Sequence, residues 1–192
     1  MLPEEILAFL REKGLAGRGD SPAGSALSGG VSSDIWRVDL PAGTLCVKRA
    51  LPRLRVAQVW EAPVERNRYE YEWFRIAAEA APAAVPAMVA QHAGILAMQY
   101  LEPARHPVWK ELLRKGQVDV AFASQVGARL AAIHAATAGR PEIAAQFPTD
   151  AIFYAIRLEP YLVATAARHP DLAGALASLV SRTARSKIAL VH

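Results

Sequence analysis

The chain contains a single cysteine, Cys46, and no long run of apolar residues. One thiol excludes an internal disulfide framework and a cysteine-based metal site. The apolar positions are spaced for helices and strands rather than gathered into one segment, so we expect no membrane insertion. Pro3, Glu4 and Glu5 stand where an export signal would carry positive charge. We therefore predict no export signal and a cytoplasmic location.

Charge of one sign is not concentrated in any segment. The 22 Lys and Arg residues exceed the 18 Asp and Glu residues, for a formal net charge of +4. Arginines such as Arg11, Arg37 and Arg75 stand among acidic residues rather than in one basic stripe with interleaved aromatics, which nucleic-acid binding favours. We therefore expect no nucleic-acid partner. Nucleic-acid binding rests on net charge alone, and we place it behind the two hypotheses given at the end of this section. The composition, 53% hydrophobic and 21% charged, is typical of a folded globular protein.

The first 101 residues carry two patterns typical of antiparallel hairpins. Residues 35–40 alternate in polarity, and Pro41-Ala42-Gly43 is a turn signal before a second alternating run at 44–49. Another hairpin is predicted within residues 87–100, around His92-Ala93-Gly94, and its second arm is apolar enough for a central strand. The remaining predicted elements of this half are a helix at 3–13, a flexible loop at 14–30 and a helix at 64–80.

Beyond a connector at residues 101–107 the patterns are helical. Helices are predicted at residues 119–138, 150–168 with a bend near Pro160, and 171–184. The inward stripe predicted for the first of these consists of Phe122, Val126, Leu130 and Ile133. The last five residues, 188–192, are typical of a buried strand.

Strands therefore precede helices along the chain. This segregation predicts an α+β fold with two lobes, residues 1–101 and residues 102–192, rather than a doubly wound sheet.

A glycine–serine loop, residues 28–33, stands directly before the first hairpin strand. Backbone N–H groups without bulky side chains can approach phosphate oxygens closely, and serine hydroxyls add donors. The loop lacks both GxGxxG spacing and a Walker lysine, and a strand follows it, so Rossmann and P-loop sites are disfavoured. On these residues alone, an ordinary flexible turn is the competing interpretation.

Lysine is scarce, with five residues in the chain, and Lys48 interrupts an apolar strand. Its ammonium either reaches the sheet edge or is held inward by an anion. A carboxylate from the predicted helix at 64–80, Glu70 or Glu72, would orient an inward ammonium toward nucleotide phosphates. Cys46 shares the face of Lys48, because strand side chains alternate, and its small side chain leaves room for a flat base.

The order of these parts resembles the N-terminal lobe of aminoglycoside phosphotransferase and choline kinase-like enzymes, which are relatives of the protein kinases. The matching parts are the loop, Leu45-Cys46-Val47-Lys48, the helix with Glu70, Val85-Pro86, and Met98-Gln99-Tyr100-Leu101-Glu102. The resemblance implies a protein-kinase-like fold, with a small antiparallel β lobe containing one helix and a mainly helical second lobe.

The resemblance also implies a nucleotide site. Lys48 would contact the phosphates with Glu70 as its partner, and Glu72 is the competing choice. The other implied nucleotide-binding residues are Ser28, Gly29, Gly30, Ser32 and Ser33 at the phosphates, and Cys46, Met98, Gln99 and Leu101 around adenine.

The end of the chain, Leu190-Val191-His192, resembles the approach to the His-Gly-Asp motif of these kinases and its first residue. The resemblance implies that the catalytic Asp and the ligands of Mg²⁺ lie beyond His192. We expect a parent enzyme that transfers the γ-phosphoryl group of ATP to a hydroxyl of a small molecule, and a 192-residue chain that binds nucleotide without turnover. The alternative is a non-catalytic truncated or pseudokinase module. The acceptor alcohol, the oligomeric state and the choice between ATP and GTP stay open.

Overall fold

The fold is α+β and centres on one five-stranded antiparallel sheet, as seen in a computed structural model that describes residues 1–28, 30–57 and 59–191. About 48% of the chain is helical, and the predicted fold class is confirmed at this level. The strands are β1 Ala23–Leu27, β2 Ser33–Leu40, β3 Gly43–Ala50, β4 Met88–His92 and β5 Ile95–Gln99. Their order in the sheet is β1-β2-β3-β5-β4, so β3 and β5 are inner strands.

Both predicted hairpins are confirmed, and their turns have the backbone that such turns require. The β2–β3 register places Leu40 opposite Gly43, and Gly43 has φ 132°, which favours glycine. The β4–β5 turn uses Ala93 at φ 46° and Gly94 at φ 78°. Two successive positive φ values match the right-handed twist of the flanking strands.

Helix α1, Glu4–Glu12, covers one face of the sheet. Its buried residues Ile6, Phe9 and Leu10 pack in one cluster with Val47 of β3 and Ala97 of β5. Helix α2, Arg66–Ala80, contacts β3, β4 and β5. Because side chains alternate along β3, the side chains next to Val47 point away from the α1 cluster.

Helix α2 also joins the sheet to the helical half of the chain. A second core contains Trp73, Ala77 and Ala81, together with Ile133 from a later helix. Phe147 and Leu190 pack against this core from farther along the chain. The residues that follow the sheet are thereby fixed next to α2.

The helical half is built from short and long segments. The α-helices are α3 Trp109–Arg114, α4 Val120–Thr137, α5 Pro141–Ala144, α6 Asp150–Phe153, α7 Ala164–Arg168 and α8 Ala173–Arg185. A π-helical segment, Tyr154–Val163, joins α6 to α7, and single 3₁₀ turns span Pro82–Ala84 and Pro170–Leu172. The predicted helix at 150–168 is therefore one run, and Pro160, which lacks an N–H donor, lies in its widened segment.

Residues 14–30 were predicted as a loop, and this is wrong for β1. Ala23–Leu27 pairs with β2 as an edge strand, although its sequence has no strand pattern. Gly24 leaves room for the Leu2 side chain, because a Cβ there would lie 2.3 Å from Leu2 Cδ2. The strand forms because β2 supplies hydrogen-bond partners, which local propensity does not reveal.

Residues 188–192 were predicted as a buried strand, and the described residues of this segment form no strand. Ile188 is 75% exposed, and the Gly139 N–H donates to its carbonyl. The Leu190 N–H donates to Thr137 Oγ1 at 3.1 Å. These two contacts hold the segment against the end of α4 without a partner strand.

The inward stripe predicted for α4 is also wrong in part. Ile133 is buried, but Phe122 and Leu130 are 41% and 44% exposed. A helical period shows which residues share a face and not whether another element covers that face. The sequence reasoning also missed α3, whose Trp109 packs on Phe122 with ring centroids 5.2 Å apart. No helix in the described ranges is long and apolar enough to cross a membrane.

Candidate functional site

Lys48 and Glu70 form an ion pair between an inner strand and helix α2. Lys48 Nζ lies 2.6 Å from Glu70 Oε1 and 2.7 Å from Oε2. The two side chains are 20% and 17% exposed. The predicted pairing with Glu70 is confirmed, whereas the competing residue Glu72 pairs with Arg75 at 2.7 Å.

The sheet topology explains why Lys48 points inward. Strand β3 lies between β2 and β5, and Lys48 is in register with Ile35 and Leu96. An ammonium on an inner strand has no sheet edge to reach, so the edge interpretation fails. Burying it without a partner would be costly, and the Glu70 carboxylate supplies the partner.

The ion pair opens into a cleft of about 300 Å³, here called the Lys48 cleft. It is lined by Ser32, Ser33 and Lys48 from the sheet and the loop before it, by Glu70 of α2, and by residues between Phe147 and Tyr161 from the helical half. Lys48 and two serine residues thus line one cavity.

The glycine–serine loop contributes only some of its predicted residues to the cleft. Ser32 and Ser33 line it, and Ser33 is buried. Ser28 and Gly30 do not line it. Gly30 has a structural role, because a Cβ there would lie 2.7 Å from the Ser33 carbonyl oxygen. Gly29 and His192, also predicted, lie outside the described residues.

The loop is anchored rather than loose. The Leu51 N–H donates to the Ser32 carbonyl at 3.0 Å, and the Arg55 N–H donates to the Val31 carbonyl at 2.8 Å. The Asp34 carboxylate accepts from Arg49 at 2.6 Å and also from Arg55. Burial alone would raise the pKa of Asp34, but the two guanidinium groups more than offset this, and the pKa is lowered.

Arg66, the first residue of α2, binds four backbone carbonyls. Its Nη2 donates to Ser32 O at 2.5 Å and to Leu51 O at 2.8 Å, and its Nη1 donates to Ala62 O at 3.0 Å and Pro63 O at 2.8 Å. Burial lowers the pKa of Arg66, and the nearby Glu70 charge opposes this effect. Sequence reasoning missed this residue because main-chain carbonyls leave no signal in a sequence.

Asn67 fixes α2 against the sheet three residues before Glu70. Its Nδ2 donates to Gly94 O at 2.8 Å and to Lys48 O at 3.3 Å, and the side chain is almost fully buried. The helix that carries Glu70 is therefore bonded to the backbone of the residue that Glu70 pairs with. This contact, which the sequence reasoning also missed, holds α2 against β3 next to the ion pair.

The residues predicted around adenine lie together but apart from the cleft. Cys46 and Met98 are register partners on β3 and β5, and burial raises the pKa of the Cys46 thiol. The Gln99 N–H already donates to Ala87 O at 2.8 Å, and Leu101 is 37% exposed. None of these four described residues lines the Lys48 cleft.

Comparison with known proteins adds no family to this geometry. No protein-family model matches the chain, and no curated protein is significantly similar to it. The site is an ammonium oriented by a carboxylate in a cleft that two serine residues also line, and this arrangement can bind an anion.

Proposed function

We propose that this chain is the nucleotide-binding part of an ATP-dependent phosphotransferase that phosphorylates a hydroxyl of a small molecule. The observation that carries the proposal is the Lys48–Glu70 ion pair between β3 and α2. A strand lysine paired with a helix glutamate is the arrangement by which protein kinases hold nucleotide phosphates. The proposed lobes are residues 1–101 and 102–192.

The ion pair leaves capacity for a phosphate. A lysine ammonium has three N–H donors, and the two Glu70 oxygens accept two of them. The third donor, with the Ser32 and Ser33 hydroxyls in the same cleft, fits phosphate oxygens. Adenine would then lie toward Cys46 and Met98, farther along the same two inner strands.

Lys48 would orient the phosphates for transfer. The bond between the γ-phosphorus and the bridging oxygen of ATP breaks, a bond from that phosphorus to the acceptor oxygen forms, and the hydroxyl proton passes to a base. Catalysis of this kind depends on placement and charge stabilisation. The family resemblance implies Mg²⁺ and a catalytic role at His192. Within residues 1–28, 30–57 and 59–191, no group of three His, Cys, Asp or Glu side chains fits a metal ion, so we assign no ligand to Mg²⁺.

Isothermal titration of the purified chain with Mg·ATP tests the proposal. Lys48→Met should weaken binding by at least about tenfold, because a charge-assisted contact to phosphate is lost. Glu70→Gln should weaken it less, since the ammonium stays but loses its orientation. Lys13→Met is the matched control, because Lys13 pairs with its neighbour Glu12 on the surface, and its affinity should equal that of the parent chain. Equal affinities for the parent chain and Lys48→Met would reject the proposal.

A further inference from the structure

The Lys48 cleft has an aromatic wall, formed jointly by the loop before α2, by α2 itself and by the helical half of the chain. Trp60 Nε1 donates to the Ala155 carbonyl at 2.9 Å and ties the loop before α2 to the π-helical segment. Tyr69 of α2 lies 6.1 Å from Phe147, measured between ring centroids. The aromatic side chains that line the cleft are Trp60, Tyr69, Trp73, Phe147, Phe153 and Tyr161. A wall of this kind fits a flat apolar body.

The charges that line the cleft are unequal. Three lining residues are cationic, Lys48, Arg66 and Arg157, and one is acidic, Glu70. The Glu70 carboxylate is already bound by Lys48 through both oxygens. A ligand ammonium would therefore find no free lining carboxylate among the described residues.

Arg157 is the cation whose charge is available. Arg66 donates to four carbonyls, and Lys48 is held by Glu70. Arg157 lies on the aromatic wall, and its hydrogen bond goes to the carbonyl of its neighbour Ile156. None of the ion pairs among the described residues includes Arg157.

Resting on the proposed function, we infer that the acceptor is an alcohol on an aromatic or aliphatic ring skeleton, uncharged or anionic, and that Arg157 selects it over alcohols that carry an ammonium group. The aromatic wall would hold the skeleton and the guanidinium would attract an anionic substituent. Polycationic amino sugars are disfavoured, because cations outnumber acids in the lining. Aromatic faces also attract cations, so the test must set the two attractions against each other.

Three naphthalene alcohols that carry an anionic, a neutral or a cationic substituent at the same ring position provide the test. They are 6-(hydroxymethyl)-2-naphthoate, 2,6-bis(hydroxymethyl)naphthalene and 6-(aminomethyl)-2-(hydroxymethyl)naphthalene, and their dissociation constants are measured by NMR titration. The naphthoate should bind about threefold to fivefold more tightly than the amine, the size expected for one exposed ion pair. The indole N–H resonance of Trp60, assigned with Trp60→Phe, should shift with each ligand that binds.

Arg157→Glu should bring the amine to at least equal affinity with the naphthoate. Arg168→Glu is the matched control, because Arg168 ends α7 in the same helical run and does not line the cleft, and it should leave the order unchanged. Equal or tighter binding of the amine to the parent chain would overturn the inference, as would an order that survives Arg157→Glu.

These titrations need no nucleotide, so the two proposals fail separately. If Mg·ATP does not bind but the naphthoate still binds more tightly than the amine, the phosphotransferase proposal is wrong and the preference of the cleft for an anionic ligand stands. If Mg·ATP binds through Lys48 and the naphthoate does not bind more tightly than the amine, only the acceptor class is wrong.

Discussion

Replacing Arg66 should destabilise the fold around the site, because this one side chain donates hydrogen bonds to three separate segments of the chain. Its guanidinium donates to Ser32 in the glycine–serine loop, to Leu51 after β3, and to two carbonyls just before α2. Arg66→Met keeps most of the aliphatic stem and removes every donor. Four carbonyls then lose a side-chain donor together, although the Ser32 carbonyl keeps the Leu51 N–H and the Pro63 carbonyl keeps the backbone N–H of residue 66.

The magnitude follows from those four hydrogen bonds. At about 1 kcal/mol net for each bond, the four bonds sum to about 4 kcal/mol. Arg66 is only half-buried, so water can reach some of the freed carbonyls, and we expect about 2 to 3 kcal/mol of lost unfolding free energy. Arg66→Lys should recover less than half, because one ammonium cannot span the four acceptors that the planar guanidinium reaches.

Urea unfolding followed by circular dichroism measures this loss. Arg68→Met, two residues farther along α2, is the matched control, because Arg68 is exposed and its guanidinium carbon lies 5.7 Å from the centroid of the Tyr69 ring. It should change stability by less than about 0.5 kcal/mol. If Arg66→Met is as stable as Arg68→Met, the carbonyl contacts contribute nothing and the reasoning is refuted.

Three further predictions concern groups around the same site. The folded-state pKa of Asp34 is lowered below its ordinary 3.8, so the Asp34 carboxylate stabilises the fold above that pH, and this stabilisation is lost as pH falls through the folded pKa. Asp34→Asn should therefore flatten the dependence of unfolding free energy on pH below about pH 4, and an unchanged slope would contradict this. The Cys46 thiol, buried and with a raised pKa, should react with 5,5′-dithiobis(2-nitrobenzoate) only upon unfolding, and rapid labelling of the native chain would show that it is accessible. Gly30→Ala should destabilise the chain by about 1 to 3 kcal/mol, because the added Cβ would lie 2.7 Å from the Ser33 carbonyl oxygen. Gly19→Ala, where the added Cβ meets no atom within 4 Å, should not, and equal melting temperatures of the two variants would refute the close contact.

The ion pair could be proposed from the sequence because the strand pattern around Lys48 and the helical pattern around Glu70 are both regular. Alternation along β3 put Lys48 on the face opposite Val47, and Val47 faces the α1 core. The helical pattern after residue 64 then supplied two candidate carboxylates, and the choice of Glu70 over Glu72 came from the family resemblance. Local pattern named the candidates because they lie in regular elements, and it did not decide whether Lys48 points inward.

The rest of the site could not be predicted from local pattern. Arg66 and Asn67 bind main-chain carbonyls of distant segments, and such contacts depend on tertiary structure alone. Strand β1 depends on its partner β2, and the aromatic wall depends on how residues 147–161 pack against α2. These features depend on which elements pack against each other, and the periodicity of a single sequence does not reveal that.

Labelling with an acyl-phosphate derivative of ATP tests the central claim most directly, because the reagent acylates lysines that lie beside bound nucleotide phosphates. The chain has five lysines, at positions 13, 48, 110, 115 and 187, and mass spectrometry of a digest separates them. We predict that Lys48 is labelled preferentially and that excess Mg·ATP suppresses this label. Labelling of the other four lysines with Lys48 unmodified, or a Lys48 label that excess Mg·ATP does not reduce, would contradict the account.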